Sequence, residues 1–170
     1  DGHPVDYAGL FAVTTGNKVE ARAAMLKERG DDYHSLLYRT LADRLAEAAT
    51  EWLHWHVRTT LWGYAPDEAM PKGALADNSY RGIRPAFGYP SLPDQSLIFI
   101  ADNVLDYASM GITLTENGAM HPAASTSGLL FSHPGSHYFV VGHVDAVRLS
   151  DYASRRGVAP AELSRFLPGV

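Results

Sequence analysis

Apolar positions recur at three- and four-residue intervals through Tyr33, Leu36, Leu37, Leu41, Leu45, Ala48, Ala49, Trp52, Leu53, Val57 and Leu61. That spacing predicts a long helix over residues 32–62 with a wide apolar stripe. Asp31 or Asp32 offers an N-cap, and Gly63 ends the pattern. Ahead of it, residues 17–29 are rich in Ala and charge, which predicts a helix stopped at Gly30. Ala8, Leu10, Phe11 and Val13, closed by Gly16, read as a short buried strand. Leu97, Ile98, Ala101, Val104, Leu105 and Ala108 predict a third helix over 96–108, followed by Gly111. Two β-like runs, 127–133 and 137–144, flank Pro134-Gly135-Ser136, which is hairpin chemistry. Two short helices close the chain, one over 145–156 and one starting at Pro160. The predicted fold class is α+β: an antiparallel or mixed β-sheet packed with one long helix and several shorter helices, the sheet made from the first strand and the hairpin. The three Trp residues, on or just after the long helix, are expected to mark its packing surface.

Composition narrows the function classes. A chain of 170 residues supports one domain spanning 1–170, and 46% hydrophobic with 19% charged residues is ordinary for a globular protein. The net charge of −5, without a Lys/Arg stripe, argues against nucleic acid as a partner. No cysteine is present, which excludes disulfides, thiolate metal sites and cysteine nucleophiles and makes a reducing cytoplasm the expected compartment. The apolar runs are far shorter than the roughly 20 residues that span a bilayer, so no membrane is expected. The start, Asp1-Gly2-His3-Pro4, lacks the regions of a signal peptide and reads as a cut end.

The stretch Gly82-Ile83-Arg84-Pro85-Ala86-Phe87-Gly88-Tyr89-Pro90 combines a fixed cation, two prolines, glycine and an aromatic ring. The prolines hold Arg84 and Tyr89 extended. Arg84 offers a planar fork for a carboxylate or phosphate, and Gly88 would let a ligand approach the backbone. On spacing alone, a structural salt bridge at Arg84 is the favoured reading. Asp43 and Glu47 lie at i and i+4, so both carboxylates share one helix face. By spacing they read as a solvated face with Arg39 or Arg44 as countercharge. Of the eight histidines, His54 and His56 at i and i+2 point about 200° apart and cannot chelate one ion, so no metal site is expected. No Gly-x-Ser-x-Gly elbow accompanies the serines near His121 and His133, which leaves a hydrolase triad remote.

The Arg-x-x-x-Gly-Tyr pattern at Arg84, Gly88 and Tyr89 resembles the S-adenosylmethionine-binding signature of the reactivation domain of cobalamin-dependent methionine synthase. Asp32-Tyr33, the run from Leu41 to Ala48, Trp62-Gly63-Tyr64-Ala65-Pro66, Leu114-Thr115-Glu116, Ser127-Gly128 and Phe131-Ser132-His133-Pro134 are similar to that family in the same order. The resemblance implies S-adenosylmethionine as ligand, with Arg84 on its carboxylate and Ala86, Gly88, Tyr89, Tyr138 and Phe139 lining the site. It implies no catalytic residue, because the role is positioning. Asp43 and Glu47 become interdomain residues that meet the histidine displaced from cobalt. The implied function is docking on a cobalamin-binding domain of the same enzyme, so that oxidised cob(II)alamin is reductively remethylated with an electron from flavodoxin or an equivalent donor. Cobalamin is then held by the partner domain. The alternative is a stand-alone S-adenosylmethionine-binding or cobalamin-protein partner module without methyl transfer. Two departures stand out. After Pro93 the chain reads Asp94-Gln95-Ser96-Leu97-Ile98, where the family commonly has an acid, His and Ser or Thr, with Lys further on. The family's upstream segment, with an acid that helps bind the ligand, lies before the residues matched here, so the chain by itself is expected to bind weakly, and Glu116 or Asp94 are the first candidates for a substitute acid should it bind undiminished.

Overall fold

A computed structural model describes residues 6–69 and 80–167. Residues 1–4, read above as no signal sequence, and the middle of the 63–93 connection lie outside that range. The elements are β1 (Ala8–Thr14), α1 (Asn17–Glu28), α2 (Asp32–His56), α3 (Leu97–Leu105), β2 (Thr113–Leu114), β3 (Met120–His121), β4 (Ser125–Phe131), α4 (Ala146–Arg156) and α5 (Pro160–Leu163). The class is α+β, with antiparallel sheets. No helix among the described residues is long and apolar enough to cross a membrane.

Local chemistry sets the helix ends. Gly30, at φ 76°, turns the chain out of α1, with Asp31 N–H donating to the Leu26 carbonyl. The Asp31 carboxylate then caps α2 by accepting from the His34 N–H at 3.2 Å. The α-helix ends at His56 rather than Trp62, and a π-helical turn, Val57–Leu61, carries the chain to Gly63. The third helix is likewise shorter than its pattern, because Asp106 adopts φ 52° and a 3₁₀ turn, Tyr107–Met110, follows.

β1 and β4 pair antiparallel, with Phe11 opposite Gly128. Alternation along these strands serves two faces. Phe11, Val13 and Leu130 pack with Leu53, Val57 and Trp62 on the α2 side. Leu10, Ala12 and Leu129 pack with Ile98, Ala101 and Tyr107 on the α3 side. The core therefore lies on both sides of a two-stranded ribbon. Ser127 stitches its centre, donating to the Phe11 carbonyl at 2.6 Å and meeting the Tyr107 hydroxyl at 2.5 Å. Beyond α3, Asp94 is buried and accepts from Tyr152 and Arg156, which ties the α4–α5 cluster of Leu149, Ala153, Leu163 and Leu167 to the rest.

Three expectations fail, one of them at Trp52, which is 52% exposed although the tryptophans were expected to mark the packing surface of α2. Residues 127–133 and 137–144 form no hairpin. The edge of β4 away from β1 is already taken by the Arg84 segment: Ile83 and Phe131 exchange two backbone hydrogen bonds at 3.0 Å, Leu129 N–H reaches the Pro85 carbonyl and Phe87 N–H the Ser127 carbonyl. Residues 137–144 instead return against the loop after that segment, where Val141 N–H donates to the Pro90 carbonyl at 3.0 Å. The leucine stripe of α2 also faces outward, with Leu41 51% and Leu45 61% exposed. The face that packs inward carries Ser35, Ala42, Ala46, Thr50 and His54. Small residues win there because α1 and Ala124 come close: Ser35 Oγ donates to the Ala23 carbonyl at 2.7 Å, and Ala42 and Ala46 touch Ala124 and Val19.

Candidate functional site

An open cleft of about 840 Å³ lies between α2, the Arg84 loop, the start of β4 and the returning 138–140 segment. Its position follows from the pairing just described. Because the 83–87 segment lies along β4, which itself packs on α2, Arg84 projects toward the helix. Gly128 permits the approach, since a Cβ there would sit 2.1 Å from the Pro85 carbonyl oxygen and 2.8 Å from Ala86 Cα. Gly82, at φ 85°, does the same beside Phe131.

Arg84 is ion-paired with Glu51 of α2, and both side chains are largely withdrawn from solvent. Arg84 Nε is buried without a partner among the described residues. Burial pulls its guanidinium below the ordinary value, opposed by the Tyr138 phenol, the Glu47 carboxylate and the Tyr89 phenol. It remains a cation. The backbone N–H of Arg84 donates to the Tyr138 hydroxyl at 3.0 Å, which fixes that ring at the cleft. Tyr138 is also hydrogen-bonded to Tyr80, whose phenol burial pushes well above its usual range. Behind them, Arg58 is fully buried, ion-paired with Glu68, and lies 4.0 Å from the centre of the Tyr80 ring. Ser91 clamps the returning segment: its hydroxyl donates to the Phe139 carbonyl at 2.6 Å and accepts from Phe139 N–H at 3.2 Å.

Of the residues singled out by sequence, Arg84, Ala86, Tyr89, Tyr138 and Phe139 line this cleft. Gly88 does not. Its φ of 79°, which side-chain-bearing residues rarely adopt, is what favours glycine there. Asp43 and Glu47, read above as interdomain residues, line the same cleft. Glu47 pairs with Arg44 at 2.7 Å, whereas Arg39 turns away to Glu20. Neither substitute acid fits. Asp94 is committed to Ser96, Tyr152 and Arg156, and Glu116 is exposed outside the cleft lining. Glu51, Tyr80 and Ser91 went unnoticed in the sequence. Glu51 had a visible signal, since Asp43, Glu47 and Glu51 continue the i, i+4 spacing for another turn. Among the described residues, no group of three or more His, Asp or Glu side chains is arranged to hold a metal ion.

Residues 2–157 match the family described as vitamin B12 dependent methionine synthase, activation domain. A crystal structure of the MetH reactivation domain bound to AdoHcy is similar at a TM-score of 0.90 and 42% sequence identity, covering 95% of this chain and 50% of that one. The chain thus spans about half the length of that solved relative.

Proposed function

The chain belongs to the activation-domain family of vitamin B12-dependent methionine synthase, and from that premise we propose that its cleft binds S-adenosylmethionine and presents the methyl group to cobalamin carried by a partner domain. The carrying observation is the meeting of a largely buried, cationic Arg84 with Tyr80, Tyr89, Tyr138 and Phe139 in one cleft, in a chain 42% identical to a reactivation domain that holds AdoHcy. The donor set suits the ligand. Arg84 offers its fork to the carboxylate, the tyrosine and phenylalanine faces suit an adenine ring and a sulfonium, and the volume lies within the roughly 300–1,000 Å³ typical of small-molecule sites.

S-adenosylmethionine supplies an electrophilic methyl group. The chain's own residues bind and orient. Arg84 and the Tyr138 hydroxyl fix one end of the ligand, and Pro85, Ala86, Tyr89 and Pro90 form a floor stiffened by the two prolines. Asp43 and Glu47, at the open side, face whatever docks over the cleft. The partner in this reading is the cobalamin-binding domain of the same enzyme, and the outcome is reductive remethylation of oxidised cobalamin with an electron from flavodoxin or an equivalent donor. Alignment of donor and acceptor is the contribution, and such positioning lowers barriers without a general base.

Calorimetric titration of S-adenosylmethionine into the chain tests the reading. Saturable one-site binding, competed by S-adenosylhomocysteine, is the expected result. Absence of heat and of competition at millimolar ligand would sink it.

A further inference from the structure

The Arg84–Glu51 ion pair lies in the lining of the cleft, and the task inferred for Glu51 rests on the S-adenosylmethionine reading above. An α-amino acid carries its ammonium and carboxylate on a single carbon. A site that takes the carboxylate on Arg84 therefore brings the ammonium within reach of Arg84's immediate neighbours, where an anion would be its strongest acceptor. Asp94 is committed to Arg156 and Tyr152, and Glu116 lies outside the cleft lining. Asp43 and Glu47 are exposed, and Glu47 is held by Arg44. Glu51 alone among the lining acids is in contact with Arg84, and its side chain is 17% exposed.

We propose that Glu51 recognises the ligand's ammonium group. Within the protein, Glu51 and Arg84 neutralise each other. On binding, Arg84 passes to the ligand carboxylate while Glu51 receives the ammonium. One internal ion pair becomes two pairs with a zwitterion, so the net charge of this part of the cleft is unchanged. Neither partner is left buried and alone, the condition that makes an unpaired buried charge costly. The same exchange creates specificity. A ligand with a carboxylate but no ammonium must break the Glu51–Arg84 pair and strand Glu51, so the cleft should select whole amino acids over their desamino counterparts.

The test compares S-adenosylhomocysteine with desamino S-adenosylhomocysteine by calorimetry, in the native chain and in Glu51→Gln. The native chain should prefer the amino compound by about tenfold or more, the usual effect of one charged partner of a ligand ion. Glu51→Gln should lose most of that preference by weakening the amino compound, while the desamino compound binds as well as before or better, since Arg84 is released. Retained binding of the desamino compound also reports an intact fold. A Glu51→Gln chain that keeps the native preference overturns the proposal. Equal weakening of both compounds overturns it too, and makes Glu51 a support for Arg84 only. If the native chain binds neither compound, the proposal falls together with the reading of the cleft as an S-adenosylmethionine site.

Discussion

Two side chains show how single residues carry opposite kinds of dependence. Arg84 is a cation withdrawn from water, and if its proposed partner is the ligand carboxylate, Arg84→Ala should weaken S-adenosylmethionine binding by about 2–4 kcal/mol. An unchanged Kd with native circular dichroism would show that Arg84 serves only its pair with Glu51, the structural role that spacing alone favoured. His54 depends on the interior instead. Its ring is 1% exposed, lies edge-on to Tyr80, and has no hydrogen-bond partner for either nitrogen among the described residues. Burial, reinforced by the nearby Arg58 charge, lowers its pKa from the ordinary 6.5 to about 3. The unfolded chain therefore binds a proton near pH 6.5 that the folded chain refuses until about pH 3. This contribution to stability is complete above pH 6.5 and is lost as pH falls through that window, at up to about 1.4 kcal/mol per pH unit. Urea midpoints at pH 7.5 and pH 5 should differ less in His54→Leu than in the native chain. Equal differences would mean that His54 titrates normally.

At the scale of elements, α2 separates what periodicity reveals from what it hides. The helix itself was legible, including its Asp31 cap and the turn at Gly30, because those signals are local. Its orientation was not. Large apolar residues dominate any periodic reading, yet close approach of α1 and of Ala124 demands small ones, and Ala42 and Ala46 are 3% and 4% exposed where leucines were expected to pack. Ala46→Leu should accordingly cost about 1–3 kcal/mol by overpacking, whereas Leu45→Ser should change stability by no more than about 0.5 kcal/mol. Chemical denaturation of the two variants decides it. A Leu45→Ser loss in the range of a truncated core leucine, about 2–5 kcal/mol, would show that the leucine face is covered in solution. The hairpin failed for a related reason. Pro134-Gly135-Ser136 is a sound turn, but which strand pairs with β4 is settled by partners remote in sequence, β1 on one edge and the Arg84 segment on the other.

At the scale of the whole molecule, the cleft unites two constellations that sequence kept apart. Each was readable alone, Arg84 with Tyr89 by its motif and Asp43 with Glu47 by helix spacing. Their meeting depends on the lie of the 83–87 segment along β4, which no local pattern encodes. The union also divides the acids by depth. Glu51 lies inside against Arg84, while Asp43 and Glu47 stay exposed at the opening. Exposed charges with water around them contribute about 0–1 kcal/mol each, so Asp43→Asn with Glu47→Gln should shift the Kd for S-adenosylmethionine by only a few-fold, and less in high salt. Docking is different, because a partner that covers the opening removes that water and strengthens any bond these acids make to its cationic or hydrogen-donating groups. In a parent enzyme that carries the cobalamin domain, the double variant should therefore recover from oxidised cobalamin markedly more slowly than the native enzyme, although the isolated chain binds its ligand almost as well. Recovery at the native rate would remove Asp43 and Glu47 from the docking surface. A large loss of ligand affinity in the isolated chain would instead place them beside Glu51, in the ligand's own site.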